Sequence, residues 1–197
     1  MNIIKKLFGT ISNDEHNSSE NPHETQEVIS LDEKFTFNFK KNGGKFIYCE
    51  NLNELRDQFE NILEENDWFE NEVLCHDEKL FTLLEENKLE YKDVKKPNFF
   101  LTNCEDLIAD DGSILFSSKQ FKQFKANELP ANIVVFATTS QIIENKSEGL
   151  MNIRKRYNKQ YPSNITTIKF FEKTNEENFL NYGSSHKNLY LLLLENI

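Results

Sequence analysis

From residue 44 onward, short apolar segments alternate with longer amphipathic ones. The segment KFIYC, residues 45–49, has the length and composition of a strand. Residues 51–66 then carry leucine, isoleucine and phenylalanine at helical spacing, and Asn51 with Glu54 fits a capping box at the start of this helix. A strand followed by an amphipathic helix is the repeating unit of α/β proteins.

The same alternation continues to the end of the chain. A strand at 72–75 precedes a helix that begins near Asp77, and a further helix is expected at about 147–160. The other expected strands are 98–102, 132–139, 164–171 and 189–194. The segment NIVVFATT, 132–139, is almost wholly apolar, as a strand buried on both faces should be. The pattern therefore predicts an α/β fold with a mostly parallel sheet and crossover helices.

The first part of the chain has a different composition. Residues 9–34 are polar and acidic, with too few apolar side chains to form a core, which predicts a flexible tail and linker over residues 1–34. Residues 35–197 form the expected globular domain. Ile3, Ile4, Leu7 and Phe8 fall at helical spacing beside two lysines, which is consistent either with a frayed tail or with docking on a partner or a membrane surface.

Charge and cysteine usage exclude several classes of function. A net charge of −10 repels a phosphate backbone, so no nucleic-acid partner is expected. Apolar runs are too short for a membrane span, and the N-terminal segment lacks the features of a secretory signal, which indicates a cytoplasmic protein. The three cysteines are widely separated, and the histidines are not near any suitable cluster, so neither a disulfide framework nor a metal site is expected.

The segment IADDGSILFSSKQ, residues 108–120, is open to two structural interpretations. Asp111-Gly112 between apolar runs is typical of a tight hairpin turn that joins 107–109 to 114–116. Alternatively, Thr102 or Asn103 caps a short helix that leads into a strand, and Gly112 then allows the backbone to approach a ligand closely. On the second interpretation this segment is the floor of a binding site.

The same region carries a family resemblance. The segments TNCEDLIADDGSILFSSKQ, 102–120, and ELPANIVVFATTSQII, 128–143, resemble in order and spacing the LUD family, to which the lactate-utilisation protein C belongs. The resemblance extends more weakly over roughly residues 45–197. It implies a three-layer α/β/α fold like that of NagB, ribose-phosphate isomerase and CoA transferases. The polar segment and the GxHGP-like motif that the family commonly carries near its last strands are mostly absent here.

Candidate ligand-binding residues follow from the fold that the resemblance implies. Ligands of open α/β sheets bind beyond the carboxyl ends of strands, where the loops at 110–113, 117–121 and 182–186 are expected to gather. Hydroxyl groups, backbone amides and lysine in these loops suit a small anionic metabolite. The candidates are Asp110, Gly112, Ser113, Ser117, Ser118, Lys119, Gly183, Ser184, Ser185 and His186. No catalytic residue is identified, and no metal ligand.

Two functions remain open at this point. The resemblance implies an accessory protein of cytosolic lactate or organic-acid utilisation. Because the chain has neither clustered cysteines nor a dinucleotide-binding glycine loop, an iron–sulfur or flavin centre is expected on partner subunits and no cofactor on this chain. The alternative is a non-catalytic module that binds a small anion. Enzymatic activity without a partner, by CoA or sugar-phosphate chemistry, is a third possibility.

Overall fold

Strand and helix positions follow the sequence pattern closely. The computed structural model describes residues 29–169, 171 and 187–196. Short 3₁₀ turns cover Glu78–Leu80 and Thr139–Gln141. In chain order the remaining elements are α1 (Leu31–Lys41), β1 (Lys45–Cys49), α2 (Leu52–Asn66), β2 (Val73–Cys75), α3 (Phe81–Glu86), β3 (Phe99–Asn103), β4 (Asp106–Ile108), β5 (Ser113–Ser117), α4 (Ser118–Phe121), β6 (Asn132–Thr138), β7 (Ile142–Ile143), α5 (Lys146–Tyr157), β8 (Ile165–Ile168) and β9 (Asn188–Leu194).

The main sheet contains five strands in the order β1-β9-β6-β3-β2, and every neighbouring pair is parallel. Its central strands are apolar on both faces. In β6, the side chains of Val134 and Phe136 point to one face, and those of Ile133 and Val135 to the other. A sheet buried on both faces needs helices or further strands on each side, and this gives the layered α/β fold that the sequence predicts.

Helices α2 and α3 cover the first face. Phe59, Ile62 and Leu63 of α2 pack with Leu84 of α3 against this side of the sheet. The helix α2 begins where the sequence predicts, because the Asn51 side chain accepts hydrogen bonds from the amides of residues 53 and 54. The Glu54 carboxylate accepts from the amide of residue 50, so the reciprocal half of the predicted capping box is displaced by one residue.

A second sheet lies on the other face of the main sheet. The sequence pattern indicated its hairpin and its strand within 164–171, but not that these strands form a sheet of their own. Its strands run in the order β7-β4-β5-β8, and β5 is antiparallel to both of its neighbours. Leu107, Ile114 and Phe116 bury their side chains in the core that the two sheets share with α1. Helix α5 covers the outer face of this sheet through Ile153. The strand at 114–116 therefore belongs to the smaller sheet.

Helix α1 begins four residues before the boundary expected from composition. Ser30 and Glu33 form a complete capping box, with Ser30 Oγ accepting from the Glu33 amide and the Glu33 carboxylate accepting from the Ser30 amide. Phe35 and Phe39, one helical turn apart, are fully buried against the sheets. The predicted tail at residues 1–28 lies outside the described residues. None of the helices in the described ranges has the length and apolar character needed to cross a bilayer.

Candidate functional site

A cleft of about 420 Å³ opens at the carboxyl edge of the main sheet. Its floor is formed by the ends of β3, β6 and β9, and its two walls by α2 and by the 3₁₀ turn with α3. The carboxyl ends of parallel strands meet at one edge, and this edge is the usual ligand site of open α/β sheets. The volume lies within the range of ligand clefts for compounds of drug size.

Most of the cleft surface is apolar. Leu52 and Leu55 come from α2, and Leu80 and Leu83 come from the opposite wall. Phe136 lies between them at the end of β6. The side chain of Leu52 remains 60% exposed and leaves apolar surface that a ligand could cover. The hydrocarbon part of a ligand therefore has a well-defined place.

Two polar side chains at the cleft floor hold each other in place. Asp77 follows β2, and Asn103 ends the neighbouring strand β3. The Asn103 Nδ2 atom donates a hydrogen bond of 2.6 Å to Asp77 Oδ2, while Asp77 Oδ1 accepts from the Lys79 amide at 3.1 Å. This pairing fixes a carboxylate and an amide side by side, and such a pair suits a hydroxyl or carbonyl group of a ligand.

The charged groups of the cleft lie on its walls. Arg56 on α2 has its Nε atom 3.4 Å from Glu86 Oε2 on α3, so one ion pair spans the two walls. Lys79 lies on the 3₁₀ turn and makes no ion pair with a carboxylate of the described residues. The lining thus holds two cations and two carboxylates, Asp77 and Glu86, so an anionic group at the mouth of the cleft can meet Lys79 directly and Arg56 only in exchange for Glu86.

Thr138 and Gln141 complete the cleft floor, and hydrogen bonds hold Gln141 in place. Gln141 Oε1 accepts from the Thr138 amide at 2.8 Å, and Gln141 Nε2 donates to the carbonyl of Cys104 at 2.8 Å. These bonds fix the turn after β6 against the start of β4. The cleft floor is consequently preformed, which lowers the ordering cost of binding.

No activated thiol lies at this edge of the sheet. Burial raises the pKa of the Cys75 thiol to about 11 and that of the Cys49 thiol to about 12. Burial also raises the pKa of Cys104. Thiols of this kind are almost wholly protonated at neutral pH and are poor nucleophiles.

The hairpin interpretation of residues 108–120 is confirmed, and the short-helix alternative is wrong. Strands β4 and β5 pair antiparallel, with Ile108 opposite Ser113, and the turn between them contains Asp111-Gly112. Thr102 and Asn103 lie in β3 and do not cap a helix. The Asp-Gly pair predicts this turn correctly because the turn needs a residue in the left-handed region, and Gly112 has a φ of +68°.

Helix α1 covers the turn of this hairpin. Asn38 Nδ2 donates to the carbonyls of Ala109 and Asp110, and Asn42 Nδ2 donates to the carbonyl of Asp111 at 2.7 Å. The Lys34 ammonium lies 2.7 Å from Asp110 Oδ1, and this hydrogen bond holds the pKa of Asp110 below its usual value. Asp110 therefore anchors α1 in this structure.

Gly112 allows a close approach, but the approaching group is protein backbone. A Cβ atom at this position would lie 2.4 Å from the backbone carbon of Asn38 and from the backbone nitrogen of Phe39. The next residue, Ser113, is buried, and its hydroxyl donates to Asp111 Oδ1 at 2.6 Å. Both residues have packing roles in the hairpin.

The remaining described candidates lie at the opposite end of β5. Ser117 is buried, and its hydroxyl donates to Glu105 Oε1 at 2.6 Å. The Ser118 hydroxyl accepts from the Ser163 amide, and the Lys119 ammonium lies 5.2 Å from the ring centre of Tyr157. The five-residue length of β5 separates these residues from those of the turn, at about 3.3 Å per residue.

None of the candidate residues in the described ranges lines the carboxyl-edge cleft. Gly183, Ser184, Ser185 and His186 lie outside the described residues. Contact of any of the candidates with a ligand stays a prediction. Within the described ranges, histidine, cysteine and carboxylate side chains do not gather in a group of three that could hold a metal ion.

A buried cluster of polar groups lies between the second sheet and α5. Glu105 Oε2 accepts from Arg156 Nη1 at 2.5 Å, and Glu105 Oε1 accepts from the Tyr157 hydroxyl at 3.0 Å. Asp106 lies 3.4 Å from Arg156 Nη2, and its other oxygen, Oδ2, has no hydrogen-bond partner in the part of the chain that the structure describes. Burial raises the pKa of Asp106 to about 6, although the guanidinium of Arg156 opposes this effect. The cluster fastens α5 to β4 and β5.

The sequence interpretation missed the polar residues of the cleft. Asp77, Asn103 and Thr138 each stand at or just after the carboxyl end of a strand that was correctly predicted. Reading the polar residue at the end of every parallel strand identifies all three. Arg56 and Lys79 carry no comparable signal, because exposed cations occur throughout the helices of the chain.

Comparison with known proteins agrees with this fold. The fold is similar to the crystal structure, at 1.70 Å resolution, of a DUF162 family protein from Deinococcus radiodurans, with a TM-score of 0.60 and 12% sequence identity over 84% of this chain and 96% of that chain. A likeness at this identity shows the fold alone. No curated protein matches the sequence. A family model described as the LUD domain matches residues 33–194, most of the chain, and this protein therefore belongs to the LUD domain family.

Proposed function

We propose that this protein is an accessory protein in the cytosolic utilisation of lactate or a related organic acid, and that it acts together with partner subunits that carry the redox centres. The observation that carries the proposal is the match to the LUD domain over residues 33–194. The cleft supports it, because Arg56 and Lys79 suit a carboxylate, and the leucine walls suit the hydrocarbon part of an organic acid.

The proposal assigns electron transfer to the partners for a chemical reason. An iron–sulfur cluster generally needs four thiolate ligands. The whole chain has three cysteines, and Cys49, Cys75 and Cys104 are free, buried and placed on or beside separate strands. Oxidation of an organic acid releases two electrons, which a partner with iron–sulfur or flavin centres would accept. This chain would bind the acid or hold the complex together.

Purification of the tagged protein from its native cells tests the proposal. We expect stoichiometric co-purification of a subunit with the visible absorption of an iron–sulfur cluster or a flavin, and greater recovery of the complex from cells that grow on lactate. The control is the same purification from cells without the tag. A stable complex that contains no redox-active subunit would contradict the proposal.

A second function is favoured by one observation. The cleft floor is already held by hydrogen bonds, and the cleft contains no activated thiol, as expected of a module that binds a small anion without reacting with it. On this view the protein senses a carboxylate or a phosphate ester. The two functions differ in whether a redox-active subunit is bound to this chain in its native cells, because a sensing module needs none.

We expect Thr82→Trp to weaken binding in the cleft by at least about tenfold, because Thr82 is exposed on α3 and a tryptophan there would fill part of the cavity. Thermal denaturation with lactate, longer 2-hydroxy acids and sugar phosphates provides the measurement. A ligand at about 100 times its Kd adds roughly 2.7 kcal/mol of stability to the unmodified protein. The matched control is Glu60→Trp, on the exposed side of α2 and away from the cleft. Equal binding by both variants would exclude the cleft as the site.

A further inference from the structure

One face of this acidic protein is basic. The whole chain has 33 acidic and 23 basic residues, but the segments 112–127 and 149–171 together contain eight lysines or arginines and no aspartate or glutamate. The two segments are neighbours in the fold, because β5 pairs with β8 and the Ser118 amide donates to the carbonyl of Asn164. The separation of charge is therefore a property of the folded surface.

The cations are concentrated around the ring of Tyr157. The Lys119 ammonium, on α4, lies over this ring. Tyr157 also lines a shallow depression of about 370 Å³ at the end of α5, and Arg156 and Lys159 border this depression. Lys155 extends the group along the last turn of the helix, whereas Arg154, two residues before Arg156, lies on the opposite flank of α5. We refer to Lys119, Lys155, Arg156 and Lys159 as the basic face.

Local structure accounts for only part of this charge. Arg156 pairs with the buried carboxylates of Glu105 and Asp106, and cations in the last turn of α5 are favoured by the helix dipole. The other three members of the basic face make no ion pair with a carboxylate among the described residues. Neighbouring like charges repel each other, so this group is most stable when an anionic partner lies against it.

The chain contains a segment of the complementary charge. Residues 13–28 have five acidic residues and no lysine or arginine. They lie outside the described residues and end next to Ile29 and Ser30, at the start of α1. The acidic residues of the segment are Asp14, Glu15, Glu20, Glu24 and Glu27.

The length of the segment is sufficient to reach the basic face. The first turns of α1 and α5 lie close together, because the Lys34 ammonium is 2.6 Å from Glu144 Oε1, just before α5. Arg156 lies ten residues along α5, which corresponds to about 15 Å at 1.5 Å per residue. An extended chain covers about 3.3 Å per residue, so ten residues before Ser30 span about 33 Å. The tether also keeps the acidic residues at an effective concentration on the order of millimolar.

We infer that the basic face is a docking surface for an acidic peptide segment, and that in the intact chain this segment is residues 14–27 of the chain itself. The contact is electrostatic and exposed, so it weakens as salt screens the charges. The inference is independent of the proposed function, since neither the cleft nor a redox partner takes part in it.

A spin label on the intact chain tests the docking directly. Ser19→Cys gives one reactive thiol within the acidic segment, because the three natural cysteines are buried. At about 50 mM salt we expect the label to reduce the amide NMR signals of residues 119 and 154–159 by roughly half or more, and at about 0.5 M salt the signals should recover. Unchanged signals at low salt, or equal losses over the whole surface, would overturn the inference.

Charge variants identify the partners. Lys155→Glu combined with Lys159→Glu should abolish the signal loss at the basic face, and so should replacement of the five acidic residues by their amides. The matched control, Lys95→Glu with Lys96→Glu, makes the same change of net charge on the loop before β3 and should leave the signal loss unaltered. If the loss also disappears in the control, it reflects net charge alone, and the docking surface is disproved.

A mixed sample separates contact within one chain from contact between two. Spin-labelled protein without nitrogen-15 is combined with unlabelled nitrogen-15 protein. We expect no signal loss in this mixture at dilute concentration. Loss at residues 154–159 would mean that the segment of a second copy covers the basic face, and the assignment to the same chain would be wrong.

Discussion

Gly112→Val is expected to destabilise the protein by about 2–5 kcal/mol. Two costs add at this position: a β-branched residue at a φ of +68° costs about 1–2 kcal/mol, and forcing a side chain into the backbone of α1 costs about 1–3 kcal/mol. The backbone of Asn38 and Phe39 cannot move aside without lifting α1 from the core. Urea denaturation of the variant and of the unmodified protein measures the difference.

Asp93→Val provides the control for backbone strain alone. Asp93 also has a positive φ, 55°, but it is exposed on a loop. This variant should therefore lose only about 1–2 kcal/mol. The contrary result would be a Gly112→Val variant that is as stable as the unmodified protein and loses ligand binding. That result would mean that a ligand lies close to Gly112, as the sequence predicts, and our account of its packing role would be incorrect.

Glu105→Ala is expected to cost about 3–5 kcal/mol of folding free energy. The carboxylate is buried and accepts hydrogen bonds from Ser117, Arg156 and Tyr157, which belong to two different elements. Removal of one partner from a buried ion pair leaves the remaining polar groups without compensation. The measurement is again the free energy of unfolding in urea.

The partners of Glu105 supply a graded comparison. Tyr157→Phe removes a single hydrogen bond to a charged acceptor and should cost about 1.5–3 kcal/mol, clearly less than Glu105→Ala. A cost below about 1 kcal/mol for Glu105→Ala would show that the cluster contributes little to the attachment of α5.

The hydrophobic pattern was enough to predict the main sheet. All five of its strands were expected at or within a residue of their observed positions, because a strand buried on both faces leaves a continuous apolar run in the sequence. The sequence also predicted Asn51 as the cap of α2 and Asp77 as the cap of the following 3₁₀ turn, since capping depends on one side chain and its nearest amides. The family resemblance on residues 102–120 and 128–143 was confirmed by the family match.

The second sheet and the cleft were not readable in the same way. Strand β7 has only two residues, too few to show a period, whereas β8 was expected within 164–171 but its pairing with β5 in a separate sheet was not. The cleft residues Arg56 and Asp77 are on separate elements, and their proximity depends on how α2 and α3 pack. The candidates at 110–113 and 117–119 were placed together because both loops were expected at the carboxyl ends of parallel strands, but they lie at opposite ends of β5.

The parallel sheet, helices α2 and α3 and the hairpin at Asp111-Gly112 were predictable from the sequence alone, because burial periodicity, capping and left-handed turns are local properties of a few neighbouring residues. The group that approaches Gly112, the lining of the cleft and the location of the positive charge became visible only in the folded chain. Each of these depends on contacts between segments that are distant along the chain. Gly112 shows the distinction, since its φ follows from its own turn, while the backbone against it belongs to residues 38 and 39 of α1.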